Sequence, residues 1–102
     1  MANTVKAAKH GELKDGAAKA VEVDGTRIAL FYVGGQYYAL ADACPHRGGP
    51  LSEGFVEGQH VRCPWHKWEF DLATGACLTD PQVQQPRYAV RIEGEDVVVE
   101  LP

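Results

Sequence analysis

Polar and apolar residues alternate along several short stretches of the chain, and glycine-containing turns separate these stretches. Residues 19–23 alternate, Asp24-Gly25 follows, and residues 27–33 form a second run of β-type side chains. Because glycine readily adopts the positive φ of a tight turn, the two runs predict a β-hairpin. Gly34-Gly35 then leads into a third predicted strand over 37–40.

A second hairpin is predicted near the end of the chain. Apolar residues alternate over 88–92, residues 93–96 turn the chain, and apolar residues alternate again over 97–101. Helical periodicity is scarce, and glycines divide the chain into short strands. These features predict an all-β fold, a small antiparallel sandwich or barrel.

Length and charge narrow the class of protein. A chain of 102 residues suits a single domain, 1–102. Its net charge is −4, and its lysines and arginines are scattered singly. It therefore lacks the basic stripe of a nucleic-acid-binding protein, and its acidity suits docking to a basic patch on a partner.

Apolar runs and cysteine number bear on location. The beginning of the chain has no run of signal-peptide length, and the longest apolar stretch, 28–33, is too short to span a bilayer. These observations predict a cytoplasmic protein without a membrane segment. Three cysteines, an odd number, argue against a disulfide framework, and two of them lie near histidines, which favours a metal site.

The chemistry is concentrated in residues 43–71. Two short segments, Cys44-Pro45-His46 and Cys63-Pro64-Trp65-His66, each offer one thiolate and one imidazole. Facing each other, they would give four ligands suited to zinc or an iron–sulfur centre, and unsuited to calcium or magnesium. Gly48-Gly49 allows tight turns that bring backbone N–H groups toward such a centre.

The two segments and their neighbours, CPHRGGPLSEG and CPWHKWEFD, resemble the Rieske family over about residues 42–75. More narrowly, they resemble the ferredoxins of ring-hydroxylating oxygenases and the small subunits of nitrite reductases. The resemblance implies a Rieske fold with a loop-built cluster-binding subdomain at about 43–71. It also implies one [2Fe-2S] cluster, with Cys44 and Cys63 on one iron and His46 and His66 on the other.

The function implied by this resemblance is a soluble one-electron carrier rather than an enzyme. Electrons would pass from a flavin-dependent ferredoxin reductase to a terminal Rieske oxygenase through transient complexes. One alternative is a small Rieske subunit held permanently in a nitrite-reductase-like complex. A structural zinc-binding module is the other, since two cysteines and two histidines also form a zinc ligand set.

Four positions bear on the reduction potential within the family. Higher-potential members carry a disulfide between positions matching Gly49 and Trp65, and hydroxyl donors at positions matching Trp68 and Phe70. Fewer donors to the sulfur atoms stabilise the reduced state less. The resemblance therefore implies a potential near the low end of the family range, roughly −150 mV.

The remaining candidate residues receive simpler expectations. His10 and His60 are expected to be exposed, and Cys77 to be a buried apolar side chain. A proline-flanked loop, 81–86, is expected to cover the cluster. Arg47 and Lys67 are expected to be solvated, with partner contact as the alternative. The aromatic side chains expected to shield the cluster from water are Trp65, Trp68 and Phe70.

Overall fold

The computed structural model describes residues 3–23, 25–42, 50–64, 68–80 and 82–101. The regular elements of these ranges are nine strands and one 3-10 turn. They are β1 (Asn3–Lys9), β2 (Ala17–Val23), β3 (Thr26–Val33), β4 (Gln36–Ala41), the 3-10 turn Leu51–Glu53, β5 (Phe55–Glu57), β6 (His60–Arg62), β7 (Glu69–Asp71), β8 (Arg87–Glu93) and β9 (Asp96–Leu101). In these ranges no helix is long and apolar enough to cross a bilayer.

The strands form two antiparallel sheets, which confirms the predicted all-β class. The larger sheet has the order β1-β9-β8-β4-β3-β2, and the smaller has the order β5-β6-β7. Both hairpins are found where the sequence predicts them, since β2 pairs with β3 and β8 pairs with β9. Gly25 and Gly94 take φ of 81° and 63° in the connecting turns, a region that glycine enters without steric cost.

Strand β3 is buried on both faces and separates two hydrophobic clusters. Ile28 and Leu30 face a cluster with members from all six strands of the large sheet, so this sheet curls around it. Ala29 and Phe31 face the opposite way, into a cluster shared with β4 and the small sheet. The small sheet is thereby fixed against the outer face of β3 and β4.

Three features of the fold differ from the sequence interpretation. Strand β1 was not expected, because its inward positions, Ala7 and Ala8, are too small to give a strong alternation. Strands β5 to β7 fall in a region expected to be loops, and at three residues each they are too short for a period to register. Ile92 is 47% exposed although it shares the apolar alternation of β8, because it lies near the end of the strand.

Candidate metal centre

Cys63 is the one predicted ligand that falls within the described ranges, since Cys44, His46 and His66 lie outside them. It directly follows β6 and is only 1% exposed. Its backbone N–H donates to the carbonyl oxygen of Trp68 at 2.7 Å, just before β7 begins. This bond closes the base of the loop that carries the second Cys-His segment.

The first Cys-His segment is closed at its base in a similar way. It lies between β4 and the 3-10 turn, and the backbone N–H of Leu51 donates to the carbonyl oxygen of Asp42 at 2.7 Å. Gly54 ends the turn beside β6, where an added Cβ would collide with the carbonyl oxygen of Arg62. The absence of a side chain at Gly54 lets the returning chain lie against the residue that precedes Cys63.

The two loop bases share one hydrophobic cluster. Leu51, Val61, Cys63 and Phe70 are all buried members of it. The folded chain therefore brings the bases of both predicted ligand segments to the same end of the small sheet. The predicted set of two thiolates and two imidazoles fits a [2Fe-2S] cluster with mixed ligation.

Asp42 is a buried carboxylate at the base of the first segment, and sequence reasoning missed its role. It is 1% exposed, yet both of its side-chain oxygens have partners. Oδ1 accepts the backbone N–H of Ser52 at 2.7 Å, and Oδ2 accepts Nε of Arg27 at 3.0 Å. A buried charge needs such partners, and these tie the segment to both β3 and the 3-10 turn.

Gln85 is a second buried polar residue that the sequence did not single out. Its Nε2 donates to the carbonyl oxygen of Ala41 at 2.5 Å, and its backbone N–H donates to the carbonyl oxygen of Gly75 at 2.8 Å. Gly75 has a φ of 78°, and a Cβ there would collide with the carbonyl oxygen of Gln85. The chain around 82–86 is therefore fixed against the end of β4, one residue before Asp42.

The cysteine and histidines outside the predicted ligand set behave largely as expected. Cys77 is buried in the cluster of the small sheet, and its sulfur accepts the backbone N–H of Asp80 at 3.3 Å, which confirms its structural role. His10 is exposed and its Nδ1 lies 3.1 Å from the hydroxyl of Tyr37. His60, expected to be exposed, is half-buried in β6.

The expected aromatic cover is described in part. Phe70 is a fully buried member of the core cluster, and the partly buried Trp68 packs against the same cluster. Trp65, Arg47, Lys67 and Pro81 lie outside the described residues. Among the residues that are described, no three histidine, cysteine or acidic side chains lie close enough to hold a metal ion by themselves.

Comparison with known proteins assigns this arrangement to a family. The model of the Rieske [2Fe-2S] domain matches residues 3–99. The ferredoxin component of the naphthalene 1,2-dioxygenase system of Pseudomonas aeruginosa is 38% identical over 91 residues, which make up 88% of this chain and 88% of the relative.

Solved structures give the same result. A protein described as the NADH-dependent nitrite reductase small subunit of Mycobacterium tuberculosis superimposes with a TM-score of 0.93 at 28% identity, over 100% of this chain and 97% of its own. A chain in the complex of reduced oxygenase and oxidized ferredoxin of carbazole 1,9a-dioxygenase has a TM-score of 0.89 at 30% identity, over 94% of this chain and 91% of its own.

Proposed function

We propose that this chain, which belongs to the Rieske [2Fe-2S] family, carries single electrons on a cluster held by Cys44, His46, Cys63 and His66. When bound, the cluster stores and releases one electron. The family assignment and the ferredoxin relatives support a carrier that is not itself a catalyst. The observation that supports the ligand set is the meeting of both loop bases in one buried cluster beside Cys63.

The described residues contribute rigidity and shielding to this function. Backbone hydrogen bonds close both loops at their bases, from Leu51 to Asp42 and from Cys63 to Trp68. Burial keeps water from the thiol of Cys63. A site held in this way undergoes little rearrangement when its charge changes, which suits repeated loading and unloading of an electron.

The partners follow from the relatives. We propose that a flavin-dependent ferredoxin reductase supplies the electron and that a terminal Rieske oxygenase receives it, in transient complexes in the cytoplasm. The dioxygenase ferredoxins among the relatives support this proposal. A carrier that alternates between two partners needs weak, small interfaces, which are typical of redox encounters.

The ligand assignment is tested by replacing each proposed ligand and a matched residue of the same type. Cys63→Ala is expected to abolish the visible absorption and the EPR signal of the dithionite-reduced protein, whereas Cys77→Ala keeps both. His46→Asn and His66→Asn are also expected to abolish both signals, whereas the control His60→Asn keeps them. A cluster that survives replacement of Cys63, or that is lost with Cys77, would refute the assignment.

Metal content and partner transfer test the rest. The purified wild-type protein is expected to contain two irons and no stoichiometric zinc, because zinc would instead indicate a structural site. Reduction by a ferredoxin reductase, followed by reoxidation by a terminal oxygenase, would support the carrier function. A protein that carries the cluster and exchanges electrons with neither partner would contradict it.

The similarity to a nitrite reductase small subunit favours a second candidate, a permanently bound redox subunit. Such a subunit needs a broad apolar interface. In the described ranges the exposed large apolar side chains are Phe55, Leu78 and Ile92. Size-exclusion chromatography of the native protein from its source cell separates the two candidates, since a free monomer opposes the bound subunit.

A further inference from the structure

Two exposed apolar side chains lie in one row beside the candidate centre. Phe55 is 60% exposed and Leu78 is 49% exposed. Within the described residues, Ile92 is the third large apolar side chain with comparable exposure. Single exposed apolar residues are common on protein surfaces, so exposure alone does not indicate an interface. The relevant observation is that Phe55 and Leu78 lie in the same row.

The row crosses the small sheet. Phe55 is paired with Arg62, and Arg62 is paired with Glu69. Leu78 extends the row, because its backbone N–H donates to the carbonyl oxygen of Glu69 at 2.7 Å. We call these four residues the side row. Three strand spacings give it a length of about 14 Å.

The side row faces away from the core. The neighbouring row of Val56, Val61, Phe70 and Cys77 points inward against the core cluster. Because successive side chains of a strand point to opposite faces, the side row points outward. It is also the row nearest the centre, since Arg62 directly precedes Cys63 and Glu69 directly follows Trp68.

Together with the neighbouring Glu57, the side row carries a net negative charge. The guanidinium of Arg62 lies 3.0 Å from a carboxylate oxygen of Glu57 and 3.4 Å from one of Glu69. One cation therefore faces two carboxylates, so these three side chains carry a net charge of −1. A partner surface that complements it carries basic side chains and offers apolar contacts for Phe55 and Leu78.

We propose that the side row is part of the surface on which the terminal oxygenase docks. This inference rests on the proposed function. One electron leaves the reduced protein and enters the oxidised oxygenase, and no covalent bond changes. Apolar contacts at both ends of a charged middle fix the orientation of the pair, and the small extent of the row keeps the complex transient.

The test compares two oxidants. The reduced holoprotein is mixed in a stopped-flow instrument with the oxidised terminal oxygenase of a naphthalene 1,2-dioxygenase system, and separately with ferricyanide. The variants are Phe55→Thr, which keeps a strand-forming residue, Leu78→Ser, and the two together. The control is Ile92→Thr. Strand β8 begins at Arg87, beside Ala41, and Ile92 lies five residues further along the strand, about 17 Å from that beginning.

The double variant is expected to reduce the oxygenase with a second-order rate constant about tenfold lower than wild type. Its rate with ferricyanide, and both rates of Ile92→Thr, are expected to equal those of wild type. Added salt should slow the wild-type reaction with the oxygenase, because it screens the charges of the docked pair.

Three results would overturn the inference. Wild-type rates of the double variant with the oxygenase would remove the side row from the interface. An equal loss with both oxidants would mean that the substitutions act on the centre itself. A wild-type holoprotein that reduces ferricyanide but not the oxygenase would refute the proposed function, and the docking surface with it.

Discussion

Asp42 offers the most informative single substitution, because its buried carboxylate lies at the base of the first predicted ligand segment. Replacing it by alanine removes the acceptor of the Ser52 backbone N–H at 2.7 Å and the partner of Arg27 at 3.0 Å. The side chain of Arg27 is 52% exposed, so it can be resolvated, and this ion pair contributes at most about 1 kcal/mol. Leaving the part-buried Ser52 donor unpaired costs about 1–3 kcal/mol.

These two effects together predict that Asp42→Ala destabilises the protein by about 1–4 kcal/mol. Asp42→Asn keeps an oxygen for Ser52 and loses the charge, so we expect a smaller effect. Glu12→Gln is the matched control, because Glu12 is also a carboxylate paired to a cation, at 2.8 Å from Lys19, but lies at the surface.

The assay is the midpoint for loss of the visible cluster absorbance in a thermal ramp, compared between variants at one fixed scan rate. For a domain of this size, about 2 kcal/mol corresponds to a fall of roughly 8–16 °C. Glu12→Gln should fall by less than about 5 °C. If the midpoint of Asp42→Ala lies as close to wild type as that of the control, the carboxylate does not support the loop as we infer.

Three further predictions concern other parts of the molecule. Gly54→Ala should destabilise the protein by about 1–3 kcal/mol, because the new Cβ meets the carbonyl oxygen of Arg62. Gly58 has a φ of 59° and open space around it, so the control Gly58→Asn should change the same thermal midpoint little, and equal effects would refute the steric reason. Hydrogen bonds from the Lys19 side chain and the Lys9 backbone hold the pKa of Glu12 below its usual 4.5, so the contribution of Glu12 to stability is present above pH 4.5 and is lost as the pH falls through the lowered pKa. An NMR titration of the Glu12 carboxyl carbon should show the lowered pKa, and Lys19→Met should raise that pKa. A redox titration should give a potential near the low end of the family range, roughly −150 mV, and a value above about +100 mV would contradict the argument from missing hydroxyl and disulfide positions.

The sequence predicted the hairpins well because local chemistry determines them. Gly34 and Gly35 take φ of 60° and 82° in the turn between β3 and β4, a conformation that few other residues adopt cheaply. Alternation over four or more residues defined the flanking strands. Strands β5 to β7 depend instead on pairing between residues distant in the sequence, such as Val61 with Phe70, and no local pattern reveals that pairing.

The sequence predicts which residue types would bind the cluster, but it gives no sign of the residues that support the two Cys-His loops. The Cys-His segments carry a recognisable spacing, but Asp42 and Gln85 look like ordinary polar residues in the sequence. Their importance comes from burial, which only the folded chain defines, because a polar group removed from water must find its partners nearby. Phe70 illustrates the same limit, since the expectation of a cluster cover gave no sign of its place in the core.

The double burial of β3 gives the bases of both Cys-His loops a support that is anchored on two sides. A sheet covered on one face only could support the ligand loops only through its edge. Here Ala29 and Phe31 pack against the small sheet while Ile28 and Leu30 anchor the same strand in the curled sheet. Arg27 lies next to the buried stretch of β3 and also binds Asp42. A shift of the base of the first Cys-His loop would therefore disturb contacts with both sheets. The cost of such a shift keeps the loop bases in place, and we infer that this is why the fold can position a metal centre with strands of only three residues.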